Sequence, residues 1–249
     1  ALVENRWDIY TMDINGKNVR RLTQGPDNYW GADWSPDGNR IVVADESARK
    51  LAVMDCDGSN FQWLPTGEVS FPLQPDWSPD GTQIAFQAPA GDPFKTNKDI
   101  FVLDLSTGVV RRLTNHPERD ETPSWSPDGQ WLVFESNRDP KFWVQLPDGK
   151  FARASDLYIM YTQGNNLRNL TQSTLNEWLP AWSPDGTQIA FTRAAWGGDQ
   201  QLYVMDVDEG RPHRLTNFKG GYAIMRLSWS PDSQHLLFSL NVWDEKIGT

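Results

Sequence analysis

The chain has 249 residues, 13 of them Trp, with a net charge of −10 and a mean hydropathy of −0.60. That charge offers no basic footprint for displacing counterions from nucleic acid, and no apolar run approaches the about 18 residues a membrane-spanning helix needs. A single cysteine, Cys56, excludes an intrachain disulfide and a multi-cysteine metal site. The 19 Gly and 17 Pro punctuate the chain against long helices. The first residue is Ala1 rather than Met, which suggests either a removed leader or a piece of a longer protein.

The predicted elements repeat. Trp-Ser-Pro-Asp-Gly occurs at Trp34–Gly38, Trp77–Gly81, Trp125–Gly129 and Trp182–Gly186, with a fifth copy, Trp229–Ser233, ending in Ser. Successive motif tryptophans are 43, 48, 57 and 47 residues apart, the length of a four-stranded propeller blade. Each motif is followed by a β-forming run such as Ile41-Val42-Val43 or Ile84-Ala85-Phe86. A second apolar run follows, as in Leu51-Ala52-Val53-Met54-Asp55 and Ile100-Phe101-Val102-Leu103-Asp104. About ten residues later comes Leu-Thr, at Leu22-Thr23, Leu113-Thr114, Leu170-Thr171 and Leu215-Thr216, with Leu64-Pro65-Thr66 a variant. The Thr precedes the next motif Trp by 11 residues four times and by 13 once.

Four short strands per repeat, A to D, account for this pattern. Strand A ends at the motif Trp. Ser-Pro-Asp-Gly turns into B, with Pro presetting φ and Gly accepting φ > 0. Strand C meets D through tight turns such as Asn15-Gly16 and Asp57-Gly58. The near-continuous apolar C strands predict burial on both faces, as in a blade sandwiched between two others.

The repeat resembles the WD40-like PD40 repeat of TolB-type β-propellers, over essentially the whole chain. The resemblance implies an all-β fold of four-stranded antiparallel blades, and one propeller domain over residues 1–249. It also implies an extracytoplasmic setting (periplasmic, secreted or cell surface) and a protein partner. Because such propellers usually have six blades, a six-bladed frame with incomplete terminal blades is expected. A five-bladed closed ring, joining Trp229–Phe238 to Ile9–Thr23, is the alternative. Leu2–Arg6 resembles a B strand and favours six, as does a chain that stops at Val242–Thr249, where a strand C would begin.

No catalytic constellation emerges. The Asp of every turn motif recurs as a turn cap must and a catalytic residue need not. Asp55–Asn60 lacks the Gly and distal Glu of a calcium loop and reads as a hairpin turn. His116, His213 and His235 have no metal-ligand spacing. No Gly-x-Ser-x-Gly or phosphate-binding loop is present. Cys56 is expected to pack as a small hydrophobe near a turn. Asn169-Leu170-Thr171 is a glycosylation sequon on a predicted D strand, a chance match. No catalytic residue, cofactor or metal is therefore assigned.

The non-repeating residues are the candidates for binding. The D–A and B–C loops should share one face. Tyr29, Trp30, Phe71, Trp178 and Tyr222 fall in predicted D–A loops, and Trp30, Leu73, Glu121 and Trp178 occupy one equivalent place, seven residues after the Thr. A ring there either plugs the channel mouth or contacts a ligand. The long B–C loop Asp139–Ser155 carries Phe142, Trp143, Phe151 and Arg153, as a small packed hairpin or a docking arm. The expected function is a non-catalytic interaction module binding a protein or surface polymer, with no nucleic acid and no membrane insertion. Two enzyme-linked readings compete with it. One is the substrate-gating propeller of a prolyl-oligopeptidase-type serine peptidase without its hydrolase domain, which a downstream Gly-x-Ser-x-Gly would reveal. The other is a metal-dependent lyase of acidic sugars, as some PD40-bearing proteins are, which the scattered histidines count against.

Overall fold

The computed structural model describes residues 7–13, 15–24, 28–90, 97–139, 143–145, 151–195 and 198–242. Leu2–Arg6, Phe142, Trp196 and residues 243–249 lie outside these. The chain divides into two compact units, Ala1–Asn115 and His116–Thr249. Among the described residues every regular element is a β-strand, and no helix is long and apolar enough to cross a membrane.

The first unit opens with a two-stranded sheet of β1 (Tyr10–Thr11) and β2 (Arg20–Arg21). Next comes a four-stranded sheet of β3 (Tyr29–Trp34), β4 (Arg40–Asp45), β5 (Lys50–Asp55) and β6 (Gln62–Trp63). A second four-stranded sheet holds β7 (Leu73–Trp77), β8 (Gln83–Pro89), β9 (Lys98–Asp104) and β10 (Val110–Arg112).

In the second unit, β11 (Asp120–Trp125), β12 (Trp131–Ser136), β15 (Asp156–Tyr161) and β16 (Arg168–Asn169) form one sheet. The long B–C connection folds as a separate hairpin, β13 (Trp143–Gln145) with β14 (Phe151–Arg153). A further sheet holds β17 (Asn176–Trp182), β18 (Gln188–Ala194), β19 (Gln201–Asp206) and β20 (His213–Arg214). The last is a pair, β21 (Tyr222–Trp229) with β22 (Leu236–Val242). Among the described residues all pairings are antiparallel and join successive strands, except that β12 pairs with β15 past the β13–β14 hairpin, and the fold is a β-propeller. Among the described residues it shows four complete A–D blades, one C–D pair and one A–B pair. These are the strands from which both the six-bladed and the five-bladed readings start.

Blade interiors follow the apolar runs. In β4, Ile41 and Val43 pack with Leu22, Tyr29, Ala52 and Met54, while Val42 and Ala44 pack with Trp77, Ile84 and Phe86 of the following blade. Alternate residues of one strand thus serve two different neighbours, and both faces are buried. Phe86, Phe134 and Phe191 hold one equivalent B-strand position, are fully buried, and stack on the C-strand rings of Phe101, Tyr158 and Tyr203. Burial of one such ring contributes roughly 1.5–3 kcal/mol.

The turn motif is a hydrogen-bonded cap. In all five copies the Ser hydroxyl donates to the Asp two residues on, at 2.5–2.6 Å. It also accepts the N–H five residues on, at 2.9 Å. The Asp accepts the N–H two residues beyond itself. The Ser35 hydroxyl, then the Asn39 N–H, pull Asp37 down to about 2. In the fifth copy Ser233 adopts the glycine conformation, φ 58°, and its Oγ accepts the Asp185 N–H at 3.1 Å. The Ser thus fastens the last blade to its predecessor's turn.

One expectation needs correction. Cys56 is exposed, because it sits on the C–D hairpin turn outside the blade rather than beneath it. The motif tryptophans do not behave alike. Trp77 is 5% exposed and carries Arg40 of the preceding blade over its ring at 4.9 Å, whereas Trp34 is 49% exposed.

Candidate functional site

Strand A begins earlier than its composition suggests. Tyr29 and Tyr222, expected in loops, each open a strand A, as do Asp120 and Asn176. In every complete blade that strand carries a bulge directly after the equivalent position. The register shifts between Trp30 and Asp33, Leu73 and Asp76, Glu121 and Ser124, and Trp178 and Ala181. The next residue has positive φ each time: Gly31 (58°), Gln74 (51°), Thr122 (51°) and Leu179 (53°). A bulge bends the strand and re-aims the side chain beside it. Trp30, Leu73, Glu121 and Trp178 are therefore equivalent in geometry as well as in spacing.

In the second unit two such positions help frame one cavity of about 100 Å³, lined by Arg119, Glu121, Glu135, Ser136, Asn137, Ser155, Asn176 and Trp178. Glu121 pairs with Glu135 across the β11–β12 ladder. Burial, and then the Glu121 charge, push Glu135 up to about 8. Leu179 N–H donates to Glu135 Oε2 at 3.3 Å, joining two blades. Arg119 sits 3.6 Å from Glu121 and is half exposed, the cation at the rim. Between Asn176 and Trp178 in β17, Glu177 is fully buried, receives the Arg193 guanidinium at Oε1 (Nε at 2.7 Å), and is bonded by the Thr171 hydroxyl. Burial outweighs the Arg193 charge and raises Glu177 to about 7.

The remaining predicted residues are spread more widely. Trp30 is half-buried, donates Nε1 to Glu46 at 3.0 Å and packs on Trp7 at 4.9 Å. Phe71 carries Arg49 over its ring at 4.2 Å. Tyr222 packs on Phe218 at 5.5 Å. Trp143 pairs with Arg153, and Phe151 with Gln145, in the β13–β14 ladder. Phe142 lies outside the described residues. Tyr29 is a correction: it is 5% exposed within the core of its blade, because the strand starting there turns its ring inward, so it has no surface to offer a partner.

Arg119, Glu135, Asn137 and Asn176 join the site without having been singled out as binding residues; only their nearness to the Glu121 and Trp178 positions signals them. A wider groove of about 720 Å³ lies among the turn motifs, lined by Asp128, Trp131, Trp182 and Asp185, and follows from the repeat itself. Among the described residues no three His, Cys, Asp or Glu side chains converge as metal ligands.

A bladed all-β fold of four-stranded antiparallel sheets defines a β-propeller. The chain belongs to the TolB beta propeller domain family, whose model matches residues 74–155 and 148–246. It is similar to an uncharacterized protein of Agrobacterium fabrum, 27% identical over 285 residues, covering 94% of this chain and 92% of that one. It is also similar to the Tol-Pal system protein TolB of Francisella tularensis subsp. mediasiatica, 26% identical over 224 residues. That match covers 86% of this chain and 46% of the relative, so the chain spans about half of that protein. The crystal structure of TolB from Acinetobacter baumannii superposes with a TM-score of 0.76 at 21% identity, covering 94% of this chain and 57% of that one.

Proposed function

We propose that the chain is a non-catalytic interaction module, working outside the cytoplasm, that docks a protein partner around the strand-A bulges. The convergence of Arg119, Glu121, Asn176 and Trp178 on one cavity carries this reading. Rigid strands hold these side chains, and a half-buried Trp beside an arginine is the composition of binding hot spots. The Tol-Pal system name of the Francisella relative supports a protein partner and a cell-envelope setting. Tyr222 and the β13–β14 hairpin with Trp143, Phe151 and Arg153 are proposed as further contacts of the second unit, and Trp30 and Phe71 as contacts of the first.

A pull-down from the native source tests it. Trp178→Ala with Trp143→Ala should weaken capture of the partner by roughly 30-fold or more. The thermal midpoint should move by less than about 4 °C. A large drop in the midpoint would show that the rings are core. Capture of a polysaccharide rather than a protein would replace the partner class.

A further inference from the structure

The groove of about 720 Å³ lies at the Trp182 end of β17, away from the bulge that follows Trp178. It is formed where the turn motif of one blade meets that of the next. The first unit has the same junction. In both, the later motif's glycine stands against the earlier motif's proline. A Cβ on Gly81 would lie 3.7 Å from Pro36, and a Cβ on Gly186 would lie 3.8 Å from Pro127.

What fills the two junctions differs. The residue six places after the earlier motif Trp is Arg40 in the first unit and Trp131 in the second. Arg40 lays its guanidinium over the next motif ring, Trp77, at 4.9 Å. Trp131 instead packs on Tyr161 of its own blade at 3.9 Å. The next motif ring, Trp182, is half-buried and lines the groove. The arginine that covers Trp77 has no counterpart over Trp182 among the described residues.

The charge differs too. Asp128 and Asp185 of the two turns line the groove, with Asp206, Asp208 and Glu209 of the C–D hairpin, and all five are exposed. The matching hairpin of the first unit reads Asp104-Leu105-Ser106-Thr107, with one acid where this one has three. Asp128 and Asp185 use only Oδ1 for their own turns. Among the described residues the lining includes no Lys, Arg or His. Arg168 stands over Trp131 at 5.6 Å, one positive charge against five negative.

These walls repel an anion. A metal ion needs ligands converging on one point, and among the described residues these acids do not converge. A guanidinium answers both features, because it stacks on an indole and takes a carboxylate in a two-pronged grip. The volume falls within the roughly 300–1,000 Å³ of ligand sites, so it admits more than one side chain.

We infer that this groove binds an arginine-bearing segment of a protein partner. One guanidinium lies over Trp182, as Arg40 lies over Trp77, and pairs with Asp185 or Asp128. Adjacent basic side chains of the segment face Asp206, Asp208 and Glu209. The surface is separate from the one around the strand-A bulges and does not depend on it.

Titration of the ¹⁵N-labelled full chain tests it, with the capped peptides Gly-Arg-Arg-Gly, Gly-Lys-Lys-Gly and Gly-Glu-Glu-Gly and with spermidine as probes. The readout is the Trp182 indole resonance. The arginine peptide should shift it saturably, and roughly fivefold more tightly than the lysine peptide, since guanidinium stacks better than ammonium. The glutamate peptide should do nothing. Asp208→Asn with Glu209→Gln, both exposed and outside the turn caps, should weaken the arginine peptide severalfold. Trp131→Arg, which restores the arrangement of the first unit, should abolish its binding. If that variant fails to fold, the acid pair still decides. Equal binding of the lysine peptide, or none by the arginine peptide, overturns the inference. So does binding indifferent to the Asp208 and Glu209 substitutions. Tighter binding of spermidine would make the occupant a polyamine and overturn the partner assignment.

Discussion

Leu179 donates its backbone N–H to Glu135 Oε2 at 3.3 Å, across 44 positions of sequence. Strand A of one blade thereby grips an acid on strand B of the blade before it. The grip is made in a buried place, where desolvation disfavours the carboxylate, and Glu135 rises from 4.5 to about 8.

The consequence for stability has a definite sign. The folded chain holds this proton more tightly than the unfolded chain, so ionisation opposes folding. The penalty is absent below about pH 4.5, grows up to about pH 8 and is constant above. Glu177, raised to about 7, acts in the same direction over a narrower window. The thermal midpoint should therefore fall between pH 5 and 8, and Glu135→Gln should flatten that slope. Parallel midpoint–pH curves for the two proteins would refute the assignment.

Gly31 is the one glycine among the four bulge residues. At φ 58°, a Cβ there would lie 3.1 Å from Pro75 Cδ and 3.3 Å from Gln74 Cα of the next blade's bulge. Gly38 also has positive φ, 70°, but open space around it. Gly38→Ala should cost about 1–2 kcal/mol from backbone conformation alone. Gly31→Ala should cost more, and chemical denaturation of the two variants measures the difference.

The recurring Leu-Thr pair has a mechanical role. Thr114 Oγ1 accepts the Ile100 N–H at 2.9 Å and donates to Asp99 at 3.1 Å, and Arg112 pairs with the same fully buried Asp99. Thr23 with Asp8, Thr171 with Asp156 and Thr216 with Gln201 repeat the arrangement at the same 15-residue separation. Thr114→Val removes both bonds and should destabilise by about 1–3 kcal/mol, while Thr114→Ser retains most of the stability. Equal losses for the two would show that the methyl group, not the hydroxyl, matters.

Cys56 is exposed on its hairpin turn. Native protein should take up one maleimide per chain without denaturant. Labelling that required unfolding would return Cys56 to the interior.

Much of this architecture is written in short-range chemistry. Ser-Pro-Asp-Gly determines its own turn, since every bond in it lies within five residues, so blades and hairpins can be read directly. The bulges cannot be read in that way. Gly31, Gln74, Thr122 and Leu179 share a left-handed backbone but no residue type, because the neighbouring blade imposes the conformation. Tyr29 and Trp34 escape a composition argument for the same reason: which ring is covered depends on which strand lies next to it. The polar partner 15 residues before the Thr, Asp8, Asp99, Asp156 or Gln201, was available as a fixed offset. The grouping of Asn176 with Glu135 and Trp178 was not, since only the fold brings them to one cavity.

In the five sheets that carry a strand D, that outermost strand is very short: Arg20–Arg21, Gln62–Trp63, Val110–Arg112, Arg168–Asn169 and His213–Arg214. An incoming strand from another molecule would find two or three residues of ladder, most often with an arginine among them. That is too little for templated pairing and carries a charge that does not stack on itself. These D edges are thus guarded against strand addition, and lengthening them with apolar residues would remove that protection.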